Sequence, residues 1–358
     1  DVRIWGSEDI ATPTGVFGST SGLDIYEAWF KLRVGEKSEF TIGRQAILLD
    51  DQRLVSGRNW NQYGLTYDAL LYNFKTNGWN LNVAVSYNNT LANKVGMPYE
   101  DETIFNSTNR MKSFNFIHLK KKFNEHISAS AIVIGSGFQK MNDQRIVYLT
   151  GTYGLWTGIN VAGFDANVNV YYQNGAAQSG KEVNAYMFTL NPGYTISKFR
   201  IGVGIDYFSG DDANNSDYGT SERTFNRFYG AVYKYNGNMN YYTYIKGSTK
   251  NGGLMDLYPN LTFKATKKHI VSAYYHLFSL ANSVKLGTEI VDDKNLGSEV
   301  DLIYTFKQSK ELNIKAGISY YFTTESLEKI KGYGSGNIQS PYWGWVMLTF
   351  KPTLFTSK

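Results

Sequence analysis

The sequence predicts an all-β chain that crosses a membrane as a transmembrane antiparallel β-barrel, and three observations lead there. Apolar and polar residues alternate over stretches of about ten residues. Short turns alternate with long polar connections. The composition is rich in aromatic residues (16%) and glycine (35 of 358 residues), with no cysteine. Strict alternation puts every second side chain on one face of a strand. About ten residues is what a tilted strand needs to cross hydrocarbon, whereas strands of soluble proteins average about five or six. No run of about 18 apolar residues occurs, so no conventional transmembrane helix is expected.

Along the chain, short turns are expected at Gly35 to Ser38, Lys75 to Gly78, Phe123 to His126, Asn191 to Lys198, Thr266 to Lys268 and Gln308 to Glu311. Long polar connections are expected at Gly6 to Gly22, Ala46 to Asn61, Asn88 to Arg110, Ser209 to Glu222, Ala281 to Leu296 and Thr323 to Ser340. A barrel with tight turns on one rim and long loops on the other produces this rhythm, the short side being periplasmic in bacteria. The clearest strands run Phe164, Ala166, Val168, Val170, Tyr172 against Asp165, Asn167, Asn169, Tyr171, Gln173, then Phe199 to Tyr207, Val300 to Phe306 and Leu312 to Tyr320. About 16 strands are clear. The segments Arg223 to Tyr235 and Asn240 to Lys246 read either as two more spans, giving about 18, or as a folded loop. Trp5, Tyr72, Phe74, Trp79, Tyr87, Phe123, Trp156, Tyr172, Tyr207, Trp343 and Phe350 suit the two interfacial girdles of such a barrel. A β-sandwich also alternates, but with shorter strands and an outer face richer in Lys and Glu.

Several functions are excluded. Without cysteine there is no disulfide scaffold, thiol nucleophile or thiolate zinc site. His118, His126, His269 and His276 show no metal-ligand spacing, and no serine sits in a nucleophile elbow. Neither catalysis nor a cofactor is expected, and Gly332 to Gly336 lacks phosphate-loop spacing. The net charge of +5 is spread along the chain, so no nucleic-acid footprint is visible.

If the apolar parity faces lipid, then Arg3, Glu27, Lys31, Arg33, Asp68, Arg200, Asp206, Lys264, Asp301, Lys307 and Lys315 face the interior. Arginine suits carboxylate solutes because its planar fork offers two parallel N–H donors. Tyr153, Tyr186, Tyr258, Asn260 and Tyr274 are candidate sugar contacts, or girdle and lumen filler.

The block Gly43, Arg44, Gln45, Asp50, Asp51, Gln52, Arg53, Leu54, Gly57, Trp60, Gly64, Asp68, Ala69 resembles the alginate export family of outer-membrane porins. Weaker support comes from Arg3 to Gly6, Tyr235 to Met239 and Trp343 to Pro352. The similarity runs from Asp1 to Phe355, in the form common in Bacteroidetes-type bacteria. It implies a single outer-membrane barrel domain over residues 1–358, of about 18 strands when complete, with 16 to 18 in this chain and one or more N-terminal strands lacking. It also implies passage of a uronate-like anionic polysaccharide or oligosaccharide. Asn59 and Asn240 stand where the family is expected to carry Asp, which weakens a carboxylate role there. The chain also runs eight residues past Phe350 instead of ending on a strand aromatic.

Within that block Arg44 and Arg53 read in two ways. They reach the pore, with Asp50 and Asp51 paired to them or holding a cation, or the block is a folded loop whose Arg–Asp pairs fix its shape and constrict the pore. Strict alternation puts Arg44 on the side of Phe40 and Ile42, so that a bulge or the strand end would have to turn it inward. The solute-contacting set expected from the sequence is Arg3, Lys31, Arg33, Arg44, Arg53, Asp68, Arg200, Asp206 and Lys315. Expected partners are outer-membrane lipid and an anionic saccharide. The alternatives are an unselective porin, or a loop-occluded barrel that serves as a structural or docking subunit of an envelope complex.

Overall fold

The computed structural model describes residues 2–5, 22–58, 64–87, 111–140, 143–228, 230–232, 234–332 and 339–352, and for 2–5, 22–24 and 143–145 the backbone alone. Asn59, Trp60 and the connection 88–110 lie outside the described residues, as does the side chain of Arg3. The strands are β1 (Val2–Trp5), β2 (Gly22–Ile25), β3 (Ala28–Val34), β4 (Ser38–Gln45), β5 (Tyr67–Thr76), β6 (Trp79–Val85), β7 (Met111–Lys122), β8 (Ile127–Lys140), β9 (Asp143–Val161) and β10 (Phe164–Ala176). They continue as β11 (Glu182–Ile196), β12 (Phe199–Phe208), β13 (Leu254–Lys264), β14 (His269–Ser279), β15 (Val284–Leu286), β16 (Glu289–Val291), β17 (Asn295–Lys307), β18 (Leu312–Phe322) and β19 (Tyr342–Phe350). Two short helices, α1 (Ile245–Ser248) and α2 (Glu325–Lys331), lie in connections.

One 15-stranded antiparallel sheet runs from β3 to β19, each strand beside its sequence neighbour except where the small β15–β16 hairpin stands between β14 and β17. β2 is separated from β3 only by Tyr26 and Glu27, and carries β1 on its other side. The sheet cannot be flat. Asp50 in the β4–β5 connection contacts His118 of β7, while Arg53 contacts Asp206 of β12 and Tyr258 of β13. Six strand spacings separate β7 from β13, about 29 Å on a flat sheet. Four residues with their side chains reach only about 20 Å. The wall therefore wraps around the loop.

The two faces are inside out relative to a soluble protein. The exposed parity carries Ile117, Leu119, Leu155, Val170, Ile201, Val203, Leu257, Leu302, Ile318 and Leu348. The buried parity carries Asn73, Asn82, His118, Ser130, Asn169, Asp206, Asp256, His276, Glu299, Asp301 and Ser319. Aromatic rings collect at two levels of the outer face. Near the long connections Tyr153, Tyr172, Tyr186 and Tyr207 succeed one another across β9 to β12. Near the tight turns Phe199 stacks on Phe263, with ring centroids 4.7 Å apart, and His269 on Phe306 at 4.8 Å. Between Phe199 and Tyr207 lie eight residues of rise, about 27 Å of strand, or about 20 Å once tilted. That is the height of an apolar band. Trp79 belongs to the lower girdle, with Lys121 4.6 Å from its ring centroid. Trp156, expected in a girdle, instead points inward under Lys120.

The tight turns fall where the sequence places them, with one correction. Asn191 to Ile196 is strand, and the turn shrinks to Ser197 and Lys198. Proline has no N–H to give to a ladder, yet β11 continues through Pro192 and β13 through Pro259. The recorded pairing of β11 with β12 skips Asn191 and Pro192, and that of β13 with β14 skips Tyr258 and Pro259. Of the two readings left open for Arg223 to Tyr235 and Asn240 to Lys246, the folded loop holds: among the described residues, 209–253 form one connection with α1 its only regular element.

Replacing Val203, midway between the girdles on β12, with Arg is expected to destabilise the folded barrel by about 2–4 kcal/mol. Val203→Leu should change little. Urea titration of refolding in lipid vesicles reads both.

Candidate functional site

Two connections fold against the concave face and meet there. The first, 46–58, sends Asp50 to β7 and β8, where its carboxylate accepts from His118 (3.0 Å), Lys120 (3.1 Å) and Ser130 (2.6 Å). Burial pushes this carboxyl up, but the His118, Ser130 and Lys120 contacts outweigh it and hold Asp50 below the usual carboxylate range. Asp51 accepts from Asn169 of β10. Arg53, 3% exposed, donates to Asp206 at 2.6 Å and to Tyr258 at 3.3 Å, and its guanidinium lies 3.8 Å from the Tyr235 ring centroid.

The second connection, 209–253, brings in Asn236, whose amide donates to Asp206 and Asp256. Its turn then offers the Asn238 N–H to Asp301 and the Met239 N–H to Glu299 at 2.8 Å. Gly237 sits in that turn with φ +83°, and a Cβ there would collide with the Glu299 carboxylate. Tyr242 shares a 2.7 Å hydrogen bond with Tyr321 of β18. Tyr235 and Lys234 tie the two connections together through the Asp51 carbonyl. The contacts of this bundle extend from β7 to β18.

The expected contact residues divide accordingly. Arg53 and Asp206 (0% exposed) are brought together, but as a buried pin closed to solute. Tyr258 belongs to the same pin. Asp68 is corrected outright. It shares the outward parity of Leu70 and Tyr72, while Tyr67, Ala69 and Asn73 point in. Arg44 stays with Phe40 and Ile42 on that outer side and clasps Asp68 through two bonds of 2.9 and 3.0 Å. No bulge appears in the recorded β3–β4 register to turn it inward. Arg200 faces inward, with Asp165 held in a fork and Asn260 at 2.8 Å. Lys31, opposite the buried Thr41, bonds Glu39 at 3.0 Å. Arg33 and Lys315 face inward, as expected. Arg3 lies in β1. Tyr153 and Tyr186 are girdle residues of the outer face.

Sequence reasoning missed the partnership of His276 with Asp256 (2.9 Å) and the latch that Glu299 forms with the Met239 N–H. The available signal was cross-strand: His276 and Glu299 are register partners on the polar parity of adjacent strands. Among the described residues no cluster of His, Asp and Glu is arranged to hold a metal.

Arg44→Ala should cost under about 1 kcal/mol, because its pair is exposed. Asp206→Ala should cost more, about 3 kcal/mol, because buried Arg53 loses its 2.6 Å counter-charge and keeps only Asp51 at 3.3 Å. Denaturant titration of the two variants gives the comparison. Asp50, its pKa depressed by folding, stabilises the fold above its unfolded pKa of about 3.9. That contribution should vanish as pH falls through the lowered folded value. Asp50→Asn should remove this part of the acid dependence of thermal unfolding in detergent.

A curated relative is Outer membrane protein P1 of Haemophilus influenzae, 23% identical over 218 residues. These are 57% of this chain and 46% of that protein, so the chain spans less than half the length of this relative. Among solved structures, OccK5 (OpdH) of Pseudomonas aeruginosa superposes with a TM-score of 0.55 at 11% identity, covering 93% of this chain and 82% of that one. The outer-membrane protein OpdK of the same organism gives 0.57 at 13%, covering 90% and 78%. The fold is that of outer-membrane β-barrel porins. The chain's place is the bacterial outer membrane, where lipid is the solvent of the apolar face. The family model described as alginate export matches residues 18–338, nearly the whole chain, and the chain belongs to that family, one of channels and not of enzymes.

Proposed function

We propose that residues 1–358 act as one outer-membrane channel through which anionic polysaccharides or oligosaccharides of the uronate type diffuse passively. The observation that carries this reading is the charge at the tight-turn mouth. Arg33, Lys75, Lys122, Lys264, Lys307 and Lys315 all lie on the inward parity of their strands at that end. The registers show it: Arg33 is opposite Glu39, Lys75 opposite Asn80, Lys122 opposite Ser128, and Lys315 opposite Thr305. Lys264 and Lys307 continue the parities of Asn260 and Asp301. Of the carboxylates at this end, Glu39 and Asp165 are taken by Lys31 and Arg200, while Glu36, Glu125 and Glu311 stand in the turns themselves. The acids further in, Asp206, Asp256, Glu299 and Asp301, are buried in the loop contacts and present little charge to a passing solute. A wet mouth in which one sign of charge predominates concentrates counter-ions, and a row of separate cations lets a polyanion move from one to the next.

A second reading has its own support. The inward connections 46–58 and 209–253 share a buried apolar cluster that includes Val55, Phe225, Tyr242, Ile245 and Leu254 of β13. Loops so firmly seated suit a barrel closed by its own interior, serving as a structural or docking subunit of an envelope complex.

Planar-bilayer recording separates the two. The channel reading expects anion-selective conductance, blocked by polyuronate. Neutralising Lys75, Lys264 and Lys307 together to Gln should lower anion selectivity and weaken that block severalfold. Conductance near zero in the wild type supports the closed barrel, and unchanged block in the triple variant removes the mouth cations from the solute path.

A further inference from the structure

Beneath the start of the 46–58 connection a cavity of about 440 Å³ opens on the inner wall of β3 to β7. That is within the range of small-ligand sites, about 300–1,000 Å³. Its charges cancel. Three carboxylates, Glu27, Glu39 and Asp50, share the lining with three lysines, Lys31, Lys75 and Lys120. Glu39 holds Lys31 at 3.0 Å, Asp50 holds Lys120 at 3.1 Å, and Glu27 accepts the Ala46 N–H at 2.7 Å. Charge therefore favours an uncharged ligand over an ion.

The aromatic member of the lining is Trp29. Its register partner Gly43 pairs in turn with the buried Ala69, so the indole lies on the water-facing parity, where it is half exposed (49%). Two other inward tryptophans have a structural task. Trp156 is buried under Lys120, and Trp345 lies over Gly317, where a Cβ would come 2.5 Å from its ring. Trp29 instead has Lys31 beside it, 5.8 Å from the ring centroid and tied back to Glu39. The β5–β6 wall supplies amides to the same cavity. Asn73 donates to Asn80 and to Asn82, both at 2.6 Å, and Asn82 is 3.2 Å from the His118 ring. Fixed in this way, the Asn80 NH2 and the Asn73 side-chain oxygen have no recorded partner among the described residues. A flat apolar face and converging amide groups thus meet in one neutral recess.

We propose that this cavity binds an uncharged pyranose unit of an oligosaccharide, with a C–H face of the sugar on Trp29 and its hydroxyls on the Asn80 and Asn73 amides. A pyranose with equatorial substituents shows C–H groups on its faces and hydroxyls around its edge, the same division that the lining offers. An open-chain polyol has the hydroxyls without the flat face. A benzene ring has the face but leaves the amides unpaired. The inference goes beyond the anionic reading of the mouth, since it concerns the sugar ring and not a charge, and it holds with or without conduction.

Calorimetric titration of the folded barrel in detergent tests it, with cellobiose, sorbitol and benzyl alcohol as probes. Cellobiose is expected to bind about tenfold more tightly than either of the others, and salt should leave its affinity unchanged because no ligand charge is screened. Trp29→Ala should weaken cellobiose about tenfold, and Trp29→Phe and Asn80→Ala severalfold. Tyr244→Ala, in the connection at the other end, should have no effect. Should Trp29→Ala fail to fold, the Trp29→Phe and Asn80→Ala variants decide the matter. The proposal is overturned if cellobiose does not bind, if sorbitol or benzyl alcohol binds as tightly, or if salt abolishes binding. It is also overturned if Trp29→Ala binds as the wild type does, if neither Trp29→Phe nor Asn80→Ala weakens cellobiose, or if Tyr244→Ala removes it. Polyuronate block of the channel is read separately in bilayers, so either reading can fall while the other stands.

Discussion

Hydrocarbon offers the backbone no hydrogen-bond partner, and most of this structure follows from that. Each unpaired N–H or C=O in lipid costs several kcal/mol, so a chain without a spanning helix has to cross as strands that satisfy one another. In the 15-stranded ladder every strand but the terminal β3 and β19 has a recorded partner on both sides. Once it is adopted, the two faces of every strand meet different solvents, and the period of two becomes a period of two chemistries. Ile201 and Val203 sit in lipid, while Arg200, Gly202 and Asp206 border water and loop.

A wide polar interior then has to be furnished. The chain does this by drawing two connections inward and fixing them with charge. Arg53 to Asp206, Asp50 to His118 and Lys120, and the Glu299 and Asp301 carboxylates on main-chain N–H groups join loop to wall at several heights. These groups look like solute ligands in a sequence because they are charged and inward. In the structure they are mortar. Cations left over from that task stand at the tight-turn mouth.

What could be read from the sequence was whatever depends on near neighbours. The faces of β10, β12, β17 and β18 follow from spacing alone, and the tight turns from the breaks between those patterns. Asp68 was misplaced because its charge was weighed above its period, although Leu70, Tyr72 and Phe74 set the outward parity. Asn191 to Lys198 was read as one turn, but the strand runs on through Pro192, since a strand flanked on both sides tolerates a local gap in its ladder. The fate of 223–246 was not legible in principle. What decides it is contact with residues such as Asp51, Glu299 and Tyr321, remote along the chain, which a local pattern does not reveal. The pin itself joins positions 153 residues apart.

The two prolines have a further bearing on the wall. Pro192 and Pro259 flank β12 from opposite sides, and the pairings recorded on β11 and β13 lapse at their level. Away from the strand ends, the wall therefore carries a thinned panel beside Val203, where β11–β12 and β13–β14 pairing both lapse. Slow deuterium uptake all around the circumference, with faster uptake in this panel, is the signature such a seam leaves, and lateral flexing of the wall would begin there.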